Sequence, residues 1–221
     1  MLEEADKSVG AWPCGDGELA RRIRVHDWAE TPLGPIESWP QSLRTMVDAV
    51  LAMPGPAIIM WGPEHVQLYN DAYIAIAQDR HPALLGRPAA EGWSEAYEAV
   101  GAPLLEDALT GRSARLADFA VELRGPDGIA EERAFDFDLS PIRDETGAVA
   151  GVLQILVEVT DRQRSAARLR ESEARQAFLL RFSDALREET DADAIANRAI
   201  SMLAEQLKLD RCYITLLPPG R

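Results

Sequence analysis

Two carboxylates, Asp136 and Asp138, form the first pair whose type and spacing suit metal binding or acid–base work. They alternate with Phe135, Phe137 and Leu139, so a strand would hold the apolar side chains on one face and both acids on the other, toward solvent. No cleft is implied, and a solvated face is the favoured reading. Cys14 and Cys212 lie at opposite ends of the chain and are too few for a metal cluster or a disulfide framework. Trp28, Trp39, Trp61 and Trp93 would suit an aromatic cage, but their spread over four segments favours separate packing roles. The arginines between Arg162 and Arg175 would suit an acidic partner, yet the glutamates among them favour a salt-bridged helix surface. No nucleophile–base constellation stands out, so no catalytic residue and no metal ligand is assigned, and the chain reads as a non-enzyme.

The composition narrows the classes further. The chain has 221 residues, 47% hydrophobic and 27% charged, which suits one full domain with something smaller or two small domains. It carries 37 acidic and 23 basic side chains, a formal charge of −14. A bulk field of that sign disfavours nucleic acid and anionic lipid as partners. No apolar run approaches the roughly 18–20 residues of a membrane span. The acidic start, Met1-Leu2-Glu3-Glu4, lacks the features of a signal peptide, so a cytoplasmic location is expected. Residues 1–160 hold 27 acids and 12 bases, or −15, whereas residues 161–189 hold 6 and 7, or +1. The composition therefore changes at Thr160.

These residues must be positioned by a recognisable series of elements. The stretch to Gly17 has no periodicity and reads as loose; Glu18–Val25 forms a short helix capped by Asp16. Ser38-Trp39-Pro40-Gln41 fits a capping box, followed by Leu43, Met46, Val47, Val50 and Leu51 on one helical face. Ala57–Trp61 and His65–Tyr69 form a hairpin around Gly62-Pro63-Glu64, and Asn70-Asp71 caps a helix reaching Gln78. Residues 94–109 read as helical, with Pro103 as a break. Strands follow at Arg115–Arg124, Glu132–Pro141 and Val149–Val159. The last is apolar at nearly every position, so it is covered on both faces, by the small middle helices and by the Leu43 stripe. Thr160–Gln163 is a second capping-box match, opening a helix to Arg187 joined to the central strand without a loop. Its heptad stripe (Ala166, Leu169, Gln176, Leu180) is sparse, with Glu173 at an interior position. Another helix spans Asp193–Leu207, and Cys212–Leu217 reads as a strand without a partner, as if a further domain began there.

The order of hairpin, small helices, three-stranded meander and exiting helix resembles a PAS domain. Pro141-Ile142-Arg143-Asp144 with Gly147 resembles the turn of PAS domains and their C-terminal extension. Glu158-Val159-Thr160 resembles the Asp-Ile-Thr element that ends the last PAS strand, with Glu in place of Asp. Tyr69-Asn70-Asp71-Ala72-Tyr73 resembles the strand-to-helix step. The run from Asp27-Trp28 through Thr31-Pro32-Leu33-Gly34-Pro35 to Ser42-Leu43-Arg44 resembles the leader of PAS domains in bacterial sensor histidine kinases. Residues 26–162 are covered. Residues 178–187, 193–195 and 210–213 look like the entry to a GAF domain.

The resemblance implies an α+β PAS fold: a five-stranded antiparallel sheet with small helices on one face, an N-terminal helix on the other, and a long C-terminal signalling helix. The expected organisation is an N-terminal segment (1–25), a leader with an amphipathic helix (26–53), the PAS domain (54–160), a linker or signalling helix (161–187) and the truncated start of a GAF domain (188–221). The implied function is a sensory module of a cytoplasmic two-component histidine kinase, relaying ligand or partner binding through a homodimeric C-terminal helix to GAF and output domains. A ligand-free dimerisation scaffold and a chromophore-binding photoreceptor are the alternatives. The face assigned to a ligand pocket carries Phe135, Phe137, Leu139, Val152, Gln154 and Leu156; a plain core would need the same apolar residues, and Gln154 would serve a ligand or backbone groups. Glu158, Thr160 and Asp161 would relay the signal. Flavin-adduct chemistry of the LOV type needs a cysteine after the Gly-Arg step, but Gly86-Arg87 is followed by Pro88-Ala89-Ala90. Haem needs an axial ligand, and His81 reads as a loop or cap residue, while His26 and His65 are poorly placed. The cofactor is left unknown.

Overall fold

The computed structural model describes residues 12–93, 102–124, 128–208 and 213. The chain divides into two compact units, Met1–Thr160 and Asp161–Arg221. In the first unit, the strands are β1 (Ala57–Trp61), β2 (Val66–Tyr69), β3 (Ala114–Arg124), β4 (Ala130–Arg143) and β5 (Val149–Glu158). They form one antiparallel sheet in the order β2-β1-β5-β4-β3. The near-continuous apolar strand is thus the central one. Period-two geometry sends Val152, Gln154 and Leu156 to one face of β5 and Leu153 and Ile155 to the other. Across the ladder Gln154 lies between Ile58 of β1 and Leu139 of β4.

Helix α1 spans Glu18–Val25 and α2 spans Gln41–Leu51. The stripe of α2 buries Leu43, Val47 and Val50 in one cluster with Ala57, Ile59 and Trp61, as the periodicity predicts. Each fully buried aliphatic side chain contributes about 1.5–3 kcal/mol. Short helices α3 (Ile74–Ala77) and α4 (Ala89–Gly92) and the longer α5 (Ala102–Leu109) complete the unit. Leu105 and Ala108 of α5 bury against Met60, Leu139 and Val152 on the opposite sheet face. The helix expected over residues 94–109 is seen from Ala102; residues 94–101 lie outside the described residues.

Four local expectations are corrected. Ser38 does not cap α2: its hydroxyl donates to the Pro35 carbonyl at 2.6 Å, and the helix starts at Gln41. The N-terminus is instead met by Glu145 from the β4–β5 turn, whose carboxylate accepts from the Ser42 N–H at 2.7 Å and the Ser42 hydroxyl at 3.2 Å. Asp16 likewise does not cap α1; the Asp71 carboxylate accepts from the N–H groups of Glu18 and Leu19, both at 2.8 Å. The segment expected to be loose up to Gly17 is docked from Trp12 onward: Pro13 is buried, the Trp12 indole donates to Asp48 at 2.9 Å, and the Cys14 N–H donates to the same carboxylate at 3.1 Å.

The fourth correction concerns Asp136, which is 2% exposed rather than solvated. Strand β3 carries a bulge between Leu116 and Phe119, so two residues, Ala117 and Asp118, oppose Asp136. Asp118 adopts φ +57°, a left-handed conformation that Asp tolerates. The Asp136 carboxylate fills the gap, accepting from the Asp118 N–H at 2.9 Å and from Arg115 at 2.7 Å. Asp138 stays half-exposed beside Arg115.

Helix α6 (Thr160–Arg187), whose first residue closes the first unit, follows β5 with only Val159 between them, and α7 of the second unit spans Ala192–Leu207. The Asp191 carboxylate caps α7 through the N–H groups of Asp193 and Ala194. Along α6 Leu169, Leu179 and Leu180 are exposed, and Phe178 and Phe182 stack at 5.6 Å between centroids. The strand expected at Cys212–Leu217 lies outside the described residues.

Candidate functional site

A cavity of about 160 Å³ lies on the α5 side of the sheet. Every strand contributes to its wall: Ile58 and Met60 from β1, Gln67 from β2, Leu116, Phe119 and Val121 from β3, Phe137 and Leu139 from β4, and Gln154 from β5. Tyr73, Ile76, Ala89, Trp93, Leu104 and Leu105 close it. The bulge in β3 serves this site. By inserting one residue it returns Phe119 and Val121 to the face that Leu116 occupies, so three β3 side chains reach the wall. Phe119 and Phe137 meet edge to face at 5.5 Å.

The polar groups of the wall differ in how they are satisfied. Gln67 is wholly buried and fully engaged: its amide nitrogen reaches the carbonyls of Arg87 and Pro88, both at 3.3 Å, and its oxygen accepts from the Trp93 indole at 2.9 Å. It thereby pins the segment carrying α4 and Trp93 over the cavity, and the Arg80 guanidinium sits 4.7 Å from the Trp93 ring centre. Gln154 and the hydroxyl of Tyr73 have no hydrogen-bond partner among the described residues. Burial pushes the Tyr73 hydroxyl well above the usual phenol range, so it stays neutral. No acidic or basic side chain lines the cavity among the described residues.

Of the six residues expected in a pocket, Phe137, Leu139 and Gln154 line the cavity. Phe135, Val152 and Leu156 do not: each is buried and packs in the core, Val152 with Met60, Ala89 and Leu105. The wall from Tyr73, Trp93, Gln67 and β3 escapes sequence reasoning, although a glutamine between Val66 and Leu68 on a short apolar strand is a signal for a buried amide.

The residues expected at the relay lie at the end of β5. Thr160 is buried, and its hydroxyl donates to Glu158 Oε1 at 2.9 Å while accepting from the Ala134 N–H at 3.0 Å. The Val159 N–H donates to the Ala134 carbonyl at 2.7 Å, and Arg133 lies 3.7 Å from the Glu158 carboxylate. Thr160 is therefore a clamp onto β4 rather than a conventional N-cap. Asp161 is exposed in the first turn of α6, where a negative charge suits the helix dipole.

His81, read as a loop or cap residue, is 10% exposed at its side chain and bridges two elements. Its Nδ1 lies 2.9 Å from the Tyr69 hydroxyl and its Nε2 lies 3.0 Å from Glu18 on α1. Burial pushes the Tyr69 phenol up to about 12, and hydrogen bonds from His81 and then Arg22 hold the Glu18 carboxyl below the usual range. Among the four tryptophans, Trp28 and Trp39 do meet, at 4.7 Å, with Trp12 at 5.7 Å from Trp39; each indole N–H has a partner, so the cluster packs the N-terminal segment. No metal-binding cluster and no helix long and apolar enough to cross a membrane occur among the described residues.

Comparison with known proteins agrees with this architecture. A comparison with curated proteins finds no match. Solved structures similar to this chain include the Vibrio cholerae VqmA dimer, at 23% identity over 53% of this chain and 51% of that chain, with a TM-score of 0.41. The PAS domain from Bordetella pertussis BvgS is 18% identical over 60% of this chain and 97% of that one, with a TM-score of 0.39. The Rhodobacter sphaeroides LOV protein is 16% identical over 78% and 99%, with a TM-score of 0.42. The chain spans about half the length of the VqmA chain. Residues 54–164, half of the chain, match the family described as the PAS fold, and they begin just before β1 and end just inside α6. With the β2-β1-β5-β4-β3 sheet and the cavity on one of its faces, the chain belongs to the PAS fold family.

Proposed function

We propose that the chain is the sensory input module of a signalling protein and acts by binding rather than by catalysis. A small molecule in the cavity alters β5, and the altered strand acts on α6 through the clamp at Thr160. One observation carries this reading: a single strand supplies Gln154 to the cavity wall and leads, with one intervening residue, into the long helix. Such coupling requires that the ligand bind two states of the strand unequally. The leader and tail resemblances favour a sensor histidine kinase of a two-component system as the parent, with a GAF domain beginning after α6. The exposed leucines of α6 favour a homodimer formed through that helix.

Thr160→Val keeps the shape of the side chain and removes the hydroxyl that holds Glu158 and Ala134. In the full-length receptor it is expected to change basal autophosphorylation severalfold. Autophosphorylation equal to wild type would remove the junction from the mechanism. The apolar majority of the wall favours a second reading, a scaffold without a ligand. Native mass spectrometry of the purified chain separates the two, since a retained small molecule is expected only of the sensor.

A further inference from the structure

We propose that the cavity selects a neutral, single-ring aromatic or heteroaromatic molecule bearing one hydrogen-bonding group, which is read by the Gln154 carboxamide and the Tyr73 hydroxyl. This rests on the ligand-binding reading above and names the chemistry of that ligand.

Size sets the first limit. A cavity of about 150 Å³ lined by Leu, Ile and Phe takes up benzene, and the volume here is about 160 Å³. One ring with a small substituent fills it. The walls suit a ring, because Phe119 and Phe137 offer edges and faces from the sheet and Trp93 covers the opposite side.

The polar groups set the second limit. Tyr73 is 5% exposed, and Gln154 rises from the central strand between Ile58 and Leu139. Both line the cavity, and neither side-chain polar group meets a partner among the described residues. Among the described residues no fully buried polar atom is left unsatisfied, and both of these residues line the cavity. Gln67 contrasts with them: all its described bonds run to protein, which makes it a brace for the wall. The carboxamide offers a donor and an acceptor, and the hydroxyl offers a donor. A carbonyl, hydroxyl or ring nitrogen on the ligand would complete the set.

Charge sets the third limit. A carboxylate or ammonium would lose its hydration in this cavity and find no counter-ion among the described lining residues. The net charge of −14 further disfavours entry of anions.

The test uses the full chain, labelled with ¹⁵N, with the Trp93 indole N–H as one reporter. Four probes are titrated: benzene, and the similarly sized benzamide, benzoate and benzylammonium. Benzamide is expected to bind at least tenfold more tightly than benzoate or benzylammonium. Gln154→Leu and Tyr73→Phe are each expected to weaken benzamide on the order of tenfold, the size of one lost hydrogen bond, and to leave benzene unchanged. Tyr73→Phe removes a single atom, so its result stands even if Gln154→Leu fails to fold. Benzoate binding as tightly as benzamide would overturn the proposal, as would both variants binding benzamide like wild type. Benzene binding without benzamide binding overturns the polar readout alone. If neither benzene nor benzamide shifts any resonance, the ligand-binding reading itself falls.

Discussion

At the scale of single residues, much of the polar chemistry is used to hold backbone ends. Asp71, Glu145 and Asp136 each accept from exposed or bulged N–H groups on another element. Glu145 gives the clearest test. Its hydrogen bonds with the Ser42 backbone hold its carboxyl below the usual glutamate range. A folded-state pKa below the unfolded one means that the bond stabilises the fold above the ordinary carboxylate range. That contribution disappears as pH falls through the folded value. Glu145→Gln is therefore expected to lower the urea midpoint at pH 7, and by less as the pH falls toward 3. A gap of equal size at both pH values would show that the charge is not responsible. None of the three carboxylates was assigned its role by the sequence, because capping rules look only at adjacent residues. Asp136 was placed in solvent by a parity argument that holds for a regular strand, and the bulge opposite it draws the carboxylate into the gap.

At the scale of elements, the strongest local signals were reliable. The stripe of α2, the buried run of β1 and the apolar β5 each formed as the periodicity predicts. The N-terminal segment did not read so well. Glu18–Val25 was legible as a short helix, but its docking was not, because nothing within eight residues states where Leu19 and Ile23 pack. Both are buried in the cluster that holds α2 and β1. Leu19→Ala is expected to cost about 2–5 kcal/mol of stability, as for other large-to-small core changes. Urea denaturation would measure it. A loss below about 0.5 kcal/mol, the range of surface changes, would show that α1 is not part of the folded unit. The cavity shows the same division. Phe137, Leu139 and Gln154 were found from strand parity, whereas Tyr73 and Trp93 come from short helical turns whose direction the sequence leaves open.

At the scale of the whole molecule, charge opposes self-association and α6 favours it. Residues 1–160 carry −15, so two copies repel at long range, while residues 161–189 are nearly neutral. The proposed dimer should therefore strengthen with salt, which screens exposed charges beyond about 10 Å at 0.1 M. Sedimentation velocity is expected to show a dimer fraction that rises with ionic strength. Leu180→Glu, at an exposed position of the heptad stripe, is expected to abolish it. A wild-type chain that stays monomeric at every salt concentration would end the dimeric relay.

The sequence by itself determined the series of strands and helices, the central place of β5 and the nearly loopless entry into α6. Those properties are written locally, in the spacing of apolar residues along one segment. Only the tertiary structure decided which polar groups meet. Asp71 reaches Leu19 across 52 residues, Glu145 reaches Ser42 across 103, and Thr160 reaches Ala134 across 26. The cavity likewise needs all five strands at once. Pairings over such separations depend on the register and bulges of the assembled sheet, and no single stretch of sequence contains them.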